Sequence, residues 1–386
     1  MRIAVVAHNL RVAGGLSVGK NVVSALGRVA DQHEYLMILP AGIGYEELDK
    51  PSRARCRYYR RSAGTLGQLF YETVVMPRIV RAFAPDVTWG LGSYGLVRPY
   101  AAQAILLHLP HLVYDPRSQR RRVWKSSLRL RLLAWRLRRG LPATQLVFCQ
   151  TRTMADRFRA AYGYRGRVAI MPNAVSRATT AGSGAPPAVF ESQRGKFVLF
   201  CLTRYYVHKN LEILLDVFRA HHDKLADVCV LTTIASEQHP GARRFLEQSA
   251  DPMLGSHIIN VGPTDQRKLA GYFEHCDALL LPTVLESFSG TYLEAMQFGL
   301  PILTSDMDFA RDVCGPAARY FDPFDPDSIC AAIVEIRDSR RKRDELIKAG
   351  ADRVERYVRN WDSIVYDAVR QLESIVRPAD ERGQRK

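Results

Sequence analysis

The sequence predicts an α/β chain of two doubly wound halves, and three observations carry that prediction. Short β-branched apolar runs alternate with helical periodicities along the chain, the pattern of parallel strands covered by helices. That pattern restarts after residues 176–196, a stretch rich in Ser, Thr, Ala, Gly and Pro, whose composition marks a linker or exposed loop. The length of 386 residues is enough for two ordinary domains.

In the first half, strands are expected at 3–7, 35–39, 87–89, 104–107, 146–149 and 168–171, each a short apolar run. Helices are expected at 15–29, 66–83 and 151–162. In the second half, strands are expected at 197–201, 228–234, 258–261, 278–281, 302–304 and 319–321. Helices are expected at 209–220, 265–274, 291–298 and 325–338. A final helical stretch runs from 351 to about 376, with Trp361, Val365 and Val369 on one stripe. In doubly wound sheets ligands bind at the carboxyl ends of the strands, so a cleft between two such halves is the expected site.

The composition, 47% hydrophobic and 24% charged, is that of a globular protein. No apolar run approaches the ~18–20 residues that cross a bilayer. The first seven residues read as a buried strand rather than a secretory signal. Seven scattered cysteines without a Cys-x-x-Cys pair suggest neither a disulfide framework nor a zinc site, which makes the cytoplasm the expected compartment. Charge is uneven. Residues 1–175 hold 28 Lys+Arg against 9 Asp+Glu, and residues 176–386 hold 27 against 30. The first half is therefore expected to face something anionic.

The most informative segment is Glu286-Ser-Phe-Ser-Gly-Thr-Tyr-Leu-Glu294, which follows the apolar run 278–281. Its small-residue turn, Ser287 to Gly290, leaves backbone N–H groups free at a helix start, where the helix dipole also favours an anion. Glu294 would sit about 7 Å along the axis at ~1.5 Å per residue. That reach matches a diphosphate-to-ribose span. The segment reads as a nucleotide-diphosphate cradle, with amides of Phe288, Ser289 and Gly290 on phosphate, Glu294 on ribose and Glu286 beyond.

This pair of acids, followed by Ala295-Met296 and Gly299-Leu300-Pro301, resembles the signature of retaining family-4 glycosyltransferases, the "group 1" transferases of GT-B fold. Serines stand at Ser287 and Ser289 where that family usually has glycines. The resemblance implies two Rossmann-like domains and a last helix crossing back to the first. The expected division is residues 1–180, a linker at 181–196, a nucleotide-sugar domain at 197–355 and the returning helix at 356–376.

Arg204 ends the strand 197–201, and Lys209 follows five residues later, a spacing similar to the family's phosphate pair. Two fixed cations would stabilise the charge on a departing diphosphate without a metal. Gly14 and Gly15 permit close approach of backbone to ligand, and in the family this turn reaches the donor phosphates. His108 follows a buried strand, where the family has a histidine near the reacting centre; His111 is left open. His8, His221 and His222 read as structural or exposed. Ile170 to Val175 looks like the family's Pro-Asn-Gly segment, with Ala174 in place of glycine. Asp306, Asp308 and Asp312 fit no strong metal pattern. No metal or other cofactor is expected.

From Arg117 to Arg139 the chain holds ten Lys or Arg and no acid. Trp124, Leu128, Leu132 and Trp135 recur at i, i+4, i+8 and i+11 as one apolar stripe. Arg120, Arg121, Arg122, Trp124, Lys125, Arg129 and Trp135 thus form a candidate surface for anionic lipid or acceptor, with a core-facing stripe as the alternative. Residues 53–61 add a second basic patch. Nucleic acid is not expected, for want of a recognition motif.

The reading is a glycosyltransferase, cytoplasmic and peripheral on the inner membrane face. It would move sugar from a UDP- or GDP-linked donor to a saccharide or polyprenyl-diphosphate-linked acceptor, as in surface polysaccharide or lipopolysaccharide assembly. The resemblance implies retention. No carboxylate in the first half is placed as a nucleophile, which points to front-face substitution. A sugar-nucleotide epimerase of the same fold and a non-enzymatic membrane or nucleic-acid-binding module are the alternatives.

Overall fold

A computed structural model describes residues 1–60, 64–115, 128–174, 186–357 and 359–376. The chain divides into two compact units, each built on one parallel sheet. Among the described residues, the first unit comprises the chain up to Ala174 together with the segment from Arg359 onward, and the second comprises residues 186–357.

The first unit carries β1 (Arg2–Val6), β2 (Glu34–Pro40), β3 (Ala54–Tyr59), β4 (Val87–Gly90), β5 (Ala102–Leu107), β6 (Leu146–Cys149) and β7 (Arg167–Ile170). Their order in the sheet is β3-β2-β1-β4-β5-β6-β7. The reversal of order lies between β1 and β4, the switch point where such sheets open for ligands. Helices α1 (Ala13–Val29), α2 (Gly64–Phe70), α3 (Met76–Phe83), α4 (Leu128–Gly140) and α5 (Arg152–Tyr162) connect the strands.

The second unit repeats the plan with β8 (Phe197–Cys201), β9 (Val228–Thr232), β10 (Ile258–Asn260), β11 (Ala278–Leu281), β12 (Ile302–Ser305) and β13 (Ala318–Phe321), ordered β10-β9-β8-β11-β12-β13. Its helices are α6 (Glu212–Ala220), α7 (Pro240–Ser249), α8 (Leu269–His275), α9 (Gly290–Gln297), α10 (Asp308–Cys314), α11 (Pro326–Asp338) and α12 (Arg340–Tyr357). Strand β11 is fully buried, as a continuous apolar run in a parallel sheet should be.

The last helix, α13 (Trp361–Ile375), belongs to the first unit and packs on α1. Ile364, Val365, Ala368, Val369 and Leu372 enter the same core as Val22, Val23 and Leu26. Arg28 adds a fork on Asp362, with Nη2 at 2.7 Å and Nε at 3.0 Å from Oδ1. The returning helix expected from the resemblance is thus present. The expected single stretch from 351 to 376 is corrected to two helices, because α12 ends at Tyr357 and Asn360 caps α13 by accepting from the Ser363 N–H at 2.8 Å.

Two further departures have physical causes. The basic run at 53–61 contains β3, a sheet-edge strand whose Arg55 and Arg57 point to solvent; charge on an edge strand blocks edge-to-edge pairing. The helix expected at 66–83 widens into a π-turn at Tyr71–Val75, with the Met76 N–H bonding the Tyr71 carbonyl. Pro77 follows immediately, and its ring cannot pack against a regular i−4 carbonyl.

Candidate active site

Of the expected donor residues, Arg204, Lys209, Glu286, Phe288, Ser289, Gly290 and Glu294 lie in the second unit. After β8, the Thr203 N–H donates to Thr233 Oγ1 at 3.1 Å and the Tyr205 N–H to Gln238 Oε1 at 2.7 Å. These bonds pin the turn while Arg204 projects into solvent. Lys209 lies at the end of the 3₁₀ turn Val207–Lys209 rather than at a helix start, and Asn210 follows in the left-handed conformation at φ 55. Asn210 Nδ2 donates to the Pro323 carbonyl at 2.7 Å, which locks that turn.

The loop after β11 joins this one through the Val284 N–H and the His208 carbonyl at 2.9 Å. Their junction places Lys209 Nζ on Glu286 Oε1 in an ion pair, with side chains 14% and 19% exposed. The spacing of 77 residues hides this pair in the sequence. A half-buried pair at strand ends holds the ammonium in place and leaves its other protons available to an incoming anion.

Helix α9 then begins at Gly290, with Ser289 as an extended N-cap lacking a side-chain cap bond. Phe288 and Ser289 are buried, and a Cβ at Gly290 would meet nothing within 4 Å. Space is thus open beside the Cα of Gly290, at the start of α9. Glu294 stands four residues into the helix, about 6 Å along the axis, and is half-buried. Tyr292 fixes the helix from below: its hydroxyl pairs with Thr304 Oγ1 at 2.7 Å, which donates to the Leu281 carbonyl at 3.1 Å. Gly299 ends the segment at φ 65, a conformation that favours glycine. Near this strand end Asp306 pairs with Arg311, which holds its carboxyl below the usual range. Among the described residues no group of three or more His, Cys, Asp or Glu could hold a metal ion.

Gly14, Gly15 and His108 come together in the first unit. Both glycines lie within the first turn of α1, not in a loop before it. A Cβ on Gly15 would stand 3.5 Å from His108 Nε2, so the ring borders this helix start. Ser93, at φ 70, accepts from the His108 and Leu109 N–H groups, each at 3.2 Å. Burial lowers the His108 and His111 imidazoles to about 4. His108 is therefore neutral at neutral pH. Asn173 is tied to the loop after β6, its Oδ1 accepting from Gln150 Nε2 at 2.7 Å. Burial pushes the Cys149 and Cys201 thiols up to about 12, which argues against either as a nucleophile.

Arg120, Arg121, Arg122, Trp124 and Lys125 lie outside the described residues, as does most of the segment before α4. Arg129 lies in α4. In α4, Leu128 is 81% and Trp135 51% exposed, so these two stripe residues do not face the core, whereas Arg136 and Leu137 are buried. Arg136 turns inward because Glu72, in the π-turn, supplies a buried partner. The sequence signals this only faintly, in that Glu72 and Asp86 are the sole acids of residues 51–100. His8 is likewise buried and bonded to Glu72. No helix among the described residues is long and apolar enough to cross a membrane.

The model "Glycosyltransferase Family 4" matches residues 21–178, and "Glycosyl transferases group 1" matches residues 187–353. A phosphatidyl-myo-inositol mannosyltransferase of Mycobacterium leprae is 27% identical over 197 residues, 50% of each chain. A putative colanic acid biosynthesis glycosyl transferase of Escherichia coli K12, WcaC, is 27% identical over 162 residues, 42% of this chain and 36% of that protein. The chain thus spans about half the length, or less, of these curated relatives. Sucrose-phosphate synthase from Thermosynechococcus elongatus superposes with TM-score 0.72 at 15% identity, covering 97% of this chain and 99% of that one. The fold is GT-B. With one model on each sheet unit, the chain belongs to the family-4, group 1 glycosyltransferases.

Proposed function

We propose that this protein transfers a glycosyl group from a nucleotide-diphosphate sugar to a hydroxyl of a saccharide acceptor, with retention at the anomeric carbon. The observation that carries the reading is the Lys209–Glu286 pair, its Glu286 four residues ahead of a helix, α9, whose start has no side-chain cap. In this reading the amides of Phe288 to Gly290 take the diphosphate and Glu294 takes the ribose hydroxyls. Arg204 and Lys209 neutralise the departing phosphates, a role that elsewhere falls to a divalent metal. Glu286 orients Lys209 and contacts the transferred sugar. By the family resemblance, His108 would serve the transferred sugar and the Gly14-Gly15 turn the donor phosphates. The bond from sugar to phosphate breaks as the acceptor oxygen bonds to the same face, and the departing phosphate takes the acceptor's proton.

The acceptor is proposed to be lipid-linked and anionic, as in the assembly of surface polysaccharide or lipopolysaccharide. The colanic acid and phosphatidyl-inositol relatives and the exposed Leu128 and Trp135 of the basic helix support this part. A cytoplasmic location, peripheral at the inner membrane face, goes with it. Calorimetric titration with UDP and with GDP tests the donor site. One of the two is expected to bind the parent protein and to bind Glu294→Ala about 10- to 100-fold more weakly, a loss of roughly 1.5–3 kcal/mol. Silence from both nucleotides would contradict the reading.

A further inference from the structure

A buried polar cluster lies beneath the first strand–helix turn. His8, Glu72 and Arg136 are 2%, 3% and 5% exposed. Glu72 Oε1 accepts from His8 Nε2 at 2.8 Å, Gln68 Nε2 at 2.8 Å and the Tyr94 hydroxyl at 3.0 Å. Its other oxygen pairs with Arg136 Nη1, and the Arg136 guanidinium lies 4.5 Å over the Tyr94 ring. Tyr59 and Tyr71 face the His8 ring at 5.8 and 6.0 Å. The π-turn that carries Glu72 inward is the one imposed ahead of Pro77.

A carboxylate paired with arginine can only accept hydrogen bonds, so the His8 nitrogen facing it must carry the proton. The His8 Nδ1 is buried with no hydrogen-bond partner to receive a proton, so the ring is neutral and that nitrogen bare. Burial, followed by the charges of Arg136 and Arg11, lowers its basicity in agreement, to about 3. A fold alone gains little from such a cluster, since apolar side chains of equal volume commonly serve as well as a buried ion pair.

His8 is the second residue after β1 and begins the turn into α1. From there Asn9 Nδ2 donates to the Gly92 carbonyl at 3.2 Å, and the Leu10 N–H to the Ala7 carbonyl at 2.9 Å. The Leu10 side chain and the His108 ring both border Gly15. We propose that Glu72 and Arg136 are positioning residues for this turn: their buried pair holds His8 as its Nε2–H tautomer and so sets residues 7–15 beside His108. The relevance of that turn to transfer rests on the function proposed above.

Two measurements test this. Long-range ¹⁵N–¹H spectra of the parent protein should show His8 as a neutral Nε2–H ring that does not titrate between about pH 5.5 and 8. In Glu72→Leu/Arg136→Met, which removes both charges, the ring should lose its single tautomer. Transfer should fall about 10- to 100-fold, while nucleoside-diphosphate affinity stays at the parent value. Glu72→Gln keeps an acceptor for His8 and should retain the tautomer and most of the rate. The proposal is overturned by a parent spectrum of Nδ1–H or imidazolium form at pH 7, or by a folded double variant with parental turnover. It is equally overturned if Glu72→Gln loses as much rate as the double variant with its ring unchanged. Because the spectrum needs no turnover, failure to find any transfer would defeat the functional reading while His8 still decides this one.

Discussion

Lys209→Ala is the most informative single perturbation. The ammonium sits in a 3₁₀ turn at the carboxyl end of β8 and pairs with Glu286, both side chains largely shielded. At about 4 Å and an effective dielectric near 20, a unit charge on a phosphate oxygen would interact with it by about 4 kcal/mol. Losing one fixed donor at a developing negative charge costs roughly 2.7–4 kcal/mol in characterised sites, a 10²–10³-fold fall in kcat. The expected loss is therefore about 100-fold or more, read in single-turnover assays of nucleotide-sugar consumption. Stability should fall by about 1–3 kcal/mol, because the truncation leaves the shielded Glu286 carboxylate without its partner. Glu286→Gln keeps an acceptor for Lys209 and should lose less. A kcat reduced under about fivefold, or an effect confined to KM, would refute the assigned role, since a group acting on the leaving phosphate must act in the transition state.

Other expectations follow from the same geometry. Val365→Ala on α13 should destabilise the first unit by about 1–3 kcal/mol, seen as an earlier thermal transition; parental stability would argue that α13 does not pack on α1 in solution. His8, His108 and His111 lie at about 3, 4 and 4 in the folded protein, below about 6.5 for an unfolded imidazole. Between pH 6.5 and 4 the unfolded chain binds more protons, so stability should fall as pH drops through that window. Denaturant midpoints should show the slope, and His111→Asn should flatten it. Co-sedimentation with anionic vesicles at physiological salt should recover the parent protein, and Arg120→Ala/Arg121→Ala/Arg122→Ala should lose that binding. No binding by the parent would remove the membrane claim.

Much of the architecture was legible because buried parallel strands must be apolar on both faces. The run 278–281 could hardly be anything else, and it became β11. The turn from Glu286 to Glu294 was legible because small residues such as Ser and Gly between a buried strand and a helical pattern are the composition of a turn. What escaped has equally specific causes. Strand β3 was hidden because an edge strand alternates arginine with half-buried residues, which mimics a solvated basic stretch. The break before α13 was hidden because Asn360 caps a helix without interrupting the apolar pattern. The inward turn of Arg136 was invisible because its partner Glu72 lies far away in sequence and only a folded sheet brings them together. The Lys209–Glu286 pair shows the same limit, since each residue was identifiable as a candidate while their contact was not.

The most direct test is a crystal structure with UDP or GDP bound. Diphosphate oxygens are expected on the amides at Ser289 and Gly290 and within reach of Arg204 and Lys209, with both ribose hydroxyls on Glu294. A nucleotide lodged elsewhere on the protein, or one that leaves Glu294 and Lys209 untouched, would contradict it.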